Sequence, residues 1–403
     1  MLNRSATPRL TSALCTLVAA SVLAGCRTDA PRIASFAIDD VPEYRLREVF
    51  RLGGADAPEH LSFRREPSFA VHRSGLLFAL HSQQGRVAVL DSLGGFVRWI
   101  GRRGSGPGEF QNAIRMGFVG DTLWVRNFPS PRVSSFLLDG SHVSTERTPS
   151  YDFGYHLTAA AGVSGYLAGG KAWVEAEGFV MGEDRAIDLP LLVGDRTLST
   201  LDTLFTIPNP RGRLEGLAFA PFPVPPFHDI ATDGSTIMLA EWSDTLPSEL
   251  AVQLHTIATS ERRTVTMRFD ERTVPSAVRD SVITAGVEAI RALGERLRAL
   301  GLPEGTFPTS ISRAEVEDAV YLPRHFPPIR RILVGLDETI WVERTDGVQR
   351  GPWVALDLNG TPLFQISLPE SATLRQAARN AVWATDRDSL DVSYLVRWNI
   401  GAK

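Results

Sequence analysis

The chain has 403 residues, of which 43% are hydrophobic, and its 42 Lys and Arg residues against 46 Asp and Glu residues give a formal net charge of −4. Charges of both signs are interspersed, which excludes nucleic acid and an anionic membrane surface as partners, since either would require a basic stripe. Both cysteines, Cys15 and Cys26, lie near the N-terminus. The remaining chain therefore has no disulfide, no cysteine nucleophile and no cysteine-ligated zinc, and must be stabilised by its own core.

The first 25 residues have the pattern of a secretory signal peptide. Arg4 and Arg9 precede an uncharged apolar segment over residues 10–24, which is too short to span a membrane. The segment ends in LAGC, which resembles the lipobox of bacterial lipoproteins, in which the cysteine, here Cys26, carries the lipid. The alternative is an ordinary signal peptide followed by a chance cysteine.

We therefore predict a signal peptide over residues 1–25, lipidation of Cys26 and a lipidated tether over residues 26–42. Lipid rather than charge would then attach the protein to the membrane. The resemblance implies a location in the cell envelope. An aspartate after the cysteine is the usual signal for retention in the inner membrane, and Arg27 stands there instead, so the outer membrane is expected, facing the periplasm or the surface.

From residue 43 onward, short strand-like runs alternate with Gly and Asp-Gly turns. The clearest unit covers residues 67–110, where FAV, LLFAL, RVAVLD and FVRWI are the expected strands. The next unit repeats the order with GFV, TLWV, VSSFLL and HVSTE. Adjacent four-strand units of about 45 residues are typical of β-propeller blades.

Four further units are expected downstream. They start near residues 155, 227, 330 and 374. The last unit lacks an outermost strand, which the N-terminal run over residues 44–52 can supply, so that both ends of the propeller share one blade. We predict an all-β, six-bladed β-propeller of four-stranded antiparallel blades over residues 43–403, with seven blades possible if the long third unit contains another.

A helical insertion of about residues 275–328 separates the fourth and fifth blades. Apolar residues recur there at three- and four-residue steps from Val278 to Leu300, as on an amphipathic helix that Gly301 ends. Ser312 and Glu315 have the spacing of a capping box at the start of a second helix. The helical pair is expected to pack on one face of the ring, and the alternative is a lid that binds a partner.

The run GRRGSGPGEF, residues 101–110, raises the question of a phosphate site. A P-loop requires a lysine and a Ser or Thr after the last glycine, whereas Glu109 and Phe110 stand there. We expect a structural turn between two blades, built from residues that permit a sharp reversal and a buried wedge: Gly101, Gly104, Gly106, Pro107, Gly108 and Phe110.

The segment DSLGGFVRWIGRRGSGPGEF resembles the repeat of NHL-type and related bacterial six-bladed propellers. The next segment, NFPSPRVSSFLLDG, resembles the outer strand pair of those repeats through Asn127, Arg132, Val133, Phe136 and Gly140. The resemblance is good over residues 67–140, fair over residues 330–400 and weak in between. It implies a bacterial six-bladed propeller lipoprotein.

Some six-bladed propellers are metal-dependent hydrolases or lactonases, and this is the enzyme alternative, together with a lyase whose site lies in the central channel. The histidines show no zinc-binding spacing, and no G-x-S-x-G elbow of a serine hydrolase occurs. Glu66 and Asp229 could bind calcium under this alternative. Otherwise no metal, no cofactor and no catalytic residue is predicted.

The favoured interpretation is a binding or scaffold module for a protein, a peptide or a small ligand, with an anion among the candidates. One cation stands at or near the start of each expected inner strand, where the chain surrounds the channel mouth: Arg65, Arg115, His156, His228, Arg331 and Arg375. Converging cations would suit a carboxylate. The alternative is that they are solvated or paired with neighbours such as Glu66 and Asp229.

Overall fold

In a computed structural model, the chain forms a ring of β-sheets with one helical excursion. The structure describes these residues: 32–35, 41–63, 66–127, 132–148, 150–151, 161–175, 189–207, 222–223, 225–299, 311–345, 347 and 349–402.

The strands and helices follow one another in chain order. They are β1 (Arg32–Ser35), β2 (Arg45–Gly53), β3 (Ser68–Val71), β4 (Leu77–His81), β5 (Arg86–Leu90), β6 (Phe96–Ile100), β7 (Arg102–Arg103), β8 (Glu109–Phe110), β9 (Ala113–Val119), β10 (Thr122–Asn127), β11 (Arg132–Leu137), β12 (His142–Arg147), β13 (Ser150–Tyr151), β14 (Ala161–Gly162), β15 (Gly165–Leu167), β16 (Lys171–Glu175), β17 (Leu189–Asp195), β18 (Leu201–Ile207), β19 (Phe227–Ile230), β20 (Thr236–Trp242), β21 (Glu249–Thr256), β22 (Glu261–Arg268), α1 (Ser276–Ala299), α2 (Arg313–Ala319), β23 (Ile329–Val334), β24 (Ile340–Thr345), β25 (Arg350–Leu356), β26 (Pro362–Ile366), β27 (Thr373–Ala378), β28 (Ala381–Arg387) and β29 (Ser393–Gly401).

Six antiparallel blades account for most of these strands, which confirms the predicted fold class and blade count. Five blades use consecutive strands, from the inner strand to the outer one: β3–β6, β9–β12, β15–β18, β19–β22 and β23–β26. The sixth blade uses β27, β28 and β29 and takes its outer strand from the other end of the propeller.

That outer strand is β2, as the sequence predicts. It pairs antiparallel with β29, from Arg45 opposite Gly401 to Gly53 opposite Tyr394. The pairing closes the ring and removes a sheet edge that would otherwise be open to another chain.

The described part of the expected tether also pairs with a blade. Strand β1 lies parallel to β22, at the outer edge of the fourth blade, with Arg32 opposite Val265. Cys26 and the rest of the predicted signal and tether lie outside the described residues.

The hydrophobic core lies between neighbouring blades. Between the fifth and sixth blades, for example, Trp341 and Trp353 are fully buried beside Trp398. Strand β4 also belongs to this core, because all five of its residues are buried. Burying a large apolar side chain contributes roughly 1.5–3 kcal/mol, so the ring is stabilised mainly by blade-to-blade contacts.

The run over residues 101–110 forms the predicted turn between the first and second blades. Phe110 is fully buried between the two blades, with its ring 5.7 Å from that of Phe136. Gly101 and Gly108 have φ angles of +72° and +70°, which glycine adopts without strain.

The other two glycines of this turn, Gly104 and Gly106, do not have positive φ angles. Their role is to leave room for a carboxylate. A Cβ at Gly104 would lie 2.0 Å from Oε2 of Glu109, and that oxygen accepts a hydrogen bond of 2.8 Å from the backbone N–H of Gly106.

The insertion contains α1 and α2, and the predicted capping box is present. The backbone N–H of Glu315 donates to Oγ of Ser312, and that of Ser312 donates to Oε2 of Glu315. The helices pack on each other through buried residues, namely Ile283, Ile290, Val316 and Val320. Asp244 of the fourth blade fixes the base of the insertion by accepting hydrogen bonds from the backbone N–H groups of Arg324 and His325.

Among the described residues, no helix has the length and apolar character needed to cross a membrane.

Candidate ligand-binding site at the channel mouth

A cavity of about 460 Å³ lies where the inner strands begin, and we call it the N-terminal cup. It is lined by Glu66, Pro67, Ser68, Phe69, Ala70, Arg115, Met116, Gly117, Trp124, Tyr166, Trp173, His228, Asp229, Ile230, Ala231, Thr232, Arg375 and Gln376. These residues come from five blades, so the cup belongs to the ring rather than to one sheet.

A cross-channel hydrogen-bond chain forms the floor of the cup. The backbone N–H of Phe118 donates to the carbonyl oxygen of Thr232 over 2.8 Å, and Nε2 of Gln376 donates to Oγ1 of the same threonine. Oε1 of Gln376 accepts from the backbone N–H of Val71 over 2.6 Å. Beyond this floor lies a second cavity of about 470 Å³, lined by the opposite ends of the inner strands.

Three of the six predicted cations line the cup. Arg115, His228 and Arg375 project from the inner strands β9, β19 and β27. Arg331, on the inner strand β23, does not line the cup. It interacts electrostatically with two residues that do, Asp229 and Arg375. Arg65 and His156 lie outside the described residues.

Each lining cation has a carboxylate partner. Arg375 donates to Oε1 of Glu66, which also accepts a 2.6 Å hydrogen bond from Oγ1 of Thr385. Burial alone would raise the pKa of Glu66, but hydrogen bonds from Thr385 and Arg375 outweigh it and hold that pKa below its ordinary value. This carboxylate is therefore ionised at neutral pH.

Glu175 serves the other two cations from the third blade. Its Oε1 lies 3.4 Å from Nε2 of His228 and its Oε2 lies 3.8 Å from Nη1 of Arg115. Burial would raise the pKa of Glu175, but the hydrogen bond with His228 and the charges of both cations lower it overall. Sequence reasoning missed this residue, because its position in the second strand of a diverged blade gives no signal of its own.

Asp229 differs from these two carboxylates. Its Oδ2 accepts a 2.7 Å hydrogen bond from the backbone N–H of Val334, which joins the fourth blade to the fifth. Burial raises the pKa of Asp229 from 3.8 to about 6, against the opposing effects of that hydrogen bond and of the nearby charges of His228 and Arg331. The group therefore titrates close to neutral pH.

Among the predicted cations that the structure describes, Arg331 differs in having no salt bridge. Within the part of the chain that the structure describes, no carboxylate lies within 4 Å of it and it makes no hydrogen bond. The carboxylate opposite it, Glu343, accepts a 2.7 Å hydrogen bond from Nε of Arg350 instead. Arg331 is half-buried, with its guanidinium carbon 5.8 Å from the ring centre of Trp353, and burial lowers its pKa from the ordinary value.

An aromatic wall, formed by Trp124, Tyr166 and Trp173, lines the second- and third-blade side of the cup. Each tryptophan stands opposite an inner-strand glycine, Trp124 opposite Gly117 and Trp173 opposite Gly165. A Cβ at Gly117 would lie 2.7 Å from Trp124, and one at Gly165 would lie 2.5 Å from Trp173. Sequence reasoning missed this wall, although a glycine inside a strand is a signal for close approach of another group.

The two candidate calcium ligands both line the cup, and each has its own hydrogen-bond partners. Glu66 binds Arg375 and Thr385, whereas Asp229 binds the backbone of Val334. Among the described residues, no group of three or more His, Cys, Asp and Glu side chains could hold a metal ion. The chemistry that this arrangement offers is charge pairing and aromatic contact.

No family model and no curated protein matches the chain. Among solved structures, a Bacteroides fragilis protein described as exported shares 14% identity with a TM-score of 0.46, covering 92% of this chain and 99% of that one. A DUF4221 family member from Bacteroides vulgatus shares 11% identity with a TM-score of 0.49, covering 90% and 99%. Regucalcin from Agrobacterium tumefaciens, a calcium-binding protein, shares 10% identity with a TM-score of 0.33, covering 93% and 98%. The assignment as a six-bladed propeller rests on the strand pairing of this chain.

Proposed function

We propose that the protein is a lipid-anchored propeller of the cell envelope that binds a small anionic ligand in the N-terminal cup. The observation that carries this proposal is the unpaired guanidinium of Arg331 beside Arg375, at the side of a cavity that also contains Arg115 and His228. A half-buried charge without a partner is costly, and a ligand anion would supply the missing partner.

The size of the cup favours a small molecule or the end of a peptide over a folded protein. Its volume of about 460 Å³ is within the range of small-molecule sites, which is roughly 300–1,000 Å³. The floor formed by Thr232 and Gln376 limits how deep a ligand can reach. A protein partner would instead require a broad contact surface.

Charge explains why the ligand would be an anion. Burial lowers the pKa of Arg331 most, the charge of Glu343 opposes that effect, and the nearby positive charge of Arg375 lowers the pKa further. A carboxylate between the two arginines would replace repulsion with charge-assisted hydrogen bonds, which are about twice as strong as neutral ones.

Calorimetric titration with benzoate and succinate tests this proposal. The variant Arg331→Gln keeps a polar side chain but loses the charge, and we expect it to bind at least roughly tenfold more weakly. Arg330→Gln is the matched control, because Arg330 is the exposed neighbour on the same strand. Equal affinities of the two variants, or no binding of either acid by the unmodified protein, would refute the proposal.

Anchoring rests on the N-terminal sequence LAGC. Expression in a Gram-negative host with an alkyne-labelled palmitate should label the protein and place it in the outer-membrane fraction. The variant Cys26→Ser should lose the label and the membrane association together. A labelled Cys26→Ser protein, or an unlabelled unmodified one, would contradict the proposed anchor.

A further inference from the structure

The N-terminal cup has an aromatic side and a cationic side, and this arrangement indicates the kind of ligand that it would bind. Trp124, Tyr166 and Trp173 lie on the side of the second and third blades, whereas Arg375 lies on the side of the sixth blade, next to Arg331 on the fifth. Resting on the proposed function, we infer that the ligand is a planar aromatic anion, whose ring stacks on Arg115 at the aromatic wall while its acid group binds at Arg375, beside Arg331.

The aromatic wall exists because two inner strands carry glycine where a side chain would block it. Gly165 contacts both indoles, since a Cβ there would lie 2.5 Å from Trp173 and 2.9 Å from Trp124. Both indoles come from second strands, yet they line a cavity at the centre of the ring. The glycines thus admit aromatic rings to the channel, which an ordinary blade would keep behind its inner strand.

Arg115 provides the stacking surface itself. Its guanidinium carbon lies 5.0 Å from the ring centre of Trp173, and its Nη1 lies 3.8 Å from Glu175, so its position is fixed from two sides. The side chain lines the cup and is 36% exposed. A planar guanidinium held on an indole is a good platform for a further flat ring, because arginine stacks on aromatic faces.

Replacing Arg115 by lysine tests the contribution of stacking separately from that of charge. The variant Arg115→Lys keeps the positive charge near Glu175 but removes the planar group. Two probes of nearly equal size complete the design, 2-naphthoate with a flat ring system and its saturated counterpart trans-decahydronaphthalene-2-carboxylate. A third probe, 2-naphthalenemethanol, has the flat ring system without the acid.

Calorimetric titration of the full chain with these three probes tests the inference. We expect the unmodified protein to bind 2-naphthoate roughly tenfold more tightly than the saturated acid, as a stacking contribution predicts. The alcohol should bind at least tenfold more weakly than 2-naphthoate, because it lacks the anion. In Arg115→Lys the ratio of the affinities for the flat and the saturated acid should fall from roughly tenfold to about one.

Two outcomes would overturn the inference and are distinguishable. If both acids bind equally and both are weakened by Arg331→Gln, anion binding holds and the aromatic specificity is wrong. If neither acid binds, the proposed function fails as well. Unfolding curves of Arg115→Lys that match those of the unmodified protein exclude misfolding as the cause of a lost preference, and a preference that survives in this folded variant also refutes the role of Arg115.

Discussion

The turn at residues 101–110 and the N-terminal cup are built from the same residue types, glycine, arginine and a carboxylate, with opposite results. In the turn, Glu109 accepts hydrogen bonds from Nε of Arg102 over 2.6 Å and from the backbone N–H of Gly106 over 2.8 Å. Those bonds lower the pKa of Glu109 below its ordinary value. In the cup, burial raises the pKa of Asp229, and Arg331 has no ion-pair partner within the described residues.

This difference distinguishes the turn, as a structural element, from the cup, as a candidate functional site. A turn whose carboxylate is held by Arg102 and by the backbone of Gly106 stabilises the connection between blades. The cup contains a carboxylate with a raised pKa, Asp229, and lies beside Arg331, which has no salt bridge within the described residues; both groups reduce the stability of the fold. Such groups are concentrated at functional sites, so the comparison directs experiments to the cup.

The largest effect is expected from the buried wedge of the turn. Phe110→Ala should lower the free energy of unfolding by about 4 kcal/mol, because the lost ring leaves a cavity between two blades. Phe96→Ala is the matched control, since Phe96 is 40% exposed, and should cost about 1 kcal/mol or less. Urea unfolding measures both. If the Phe110 variant also lost affinity for benzoate while folded, the separation between turn and cup would be wrong.

The glycine at the start of the turn should have the next largest effect. Gly101→Ala places a Cβ 2.3 Å from the Phe110 ring at a φ of +72°, and we expect a loss of about 3 kcal/mol. Gly120 has a φ of +57° but open space around its Cβ, so Gly120→Ala should cost only about 1 kcal/mol. Equal melting temperatures for the two variants would show that contact with Phe110 is unimportant.

In the cup, removing a charge should stabilise the protein. Because folding raises the pKa of Asp229 from 3.8 to about 6, the stabilising contribution of its protonated form is complete below pH 3.8 and is lost as the pH rises through 6. Asp229→Asn should therefore be more stable than the unmodified protein by about 2 kcal/mol at pH 7.5, after allowance for exposure to the cup, and nearly equal to it at pH 4.

Urea unfolding at the two pH values tests this sign. Asn keeps an acceptor for the backbone N–H of Val334, so the bond between the fourth and fifth blades is preserved. Asp202→Asn, an exposed site on β18, is the control and should show no such dependence. A destabilised Asp229→Asn at pH 7.5 would mean that the carboxylate is needed for the ring itself.

The smallest effect is expected at the surface of the turn. Arg102 is 81% exposed, so Arg102→Ala should change the free energy of unfolding by about 0.5 kcal/mol or less. Thermal unfolding measures this change. A loss of several degrees would show that the ion pair with Glu109 stabilises the turn more than exposed pairs usually do.

The fold could be predicted from the sequence because each blade repeats a local pattern. The strands of the first blade, β3 to β6, coincide closely with the expected runs, and β2 closes the ring against β29 as the missing outer strand indicates. Turn residues and alternation are local signals, so they survive in a single sequence.

The site was only partly predictable, because partners in a ring are distant in the sequence. The repeat placed Arg115, His228 and Arg375 at the channel, but nothing local indicates that Glu175 would pair with two of them. Nor does periodicity show that Trp173 would reach the cup. That depends on the register that places it opposite Gly165.

The pairing of β2 with β29 also determines which part of the propeller folds last. Its two strands lie at opposite ends of the propeller, so β2, the first blade strand to be synthesised, acquires its partner only when β29, the last strand, has been made. Contacts of such large sequence separation form slowly. The sixth blade is thus the final part to assemble, and a chain cut short before β29 would leave β2 as an exposed edge available to a neighbouring molecule.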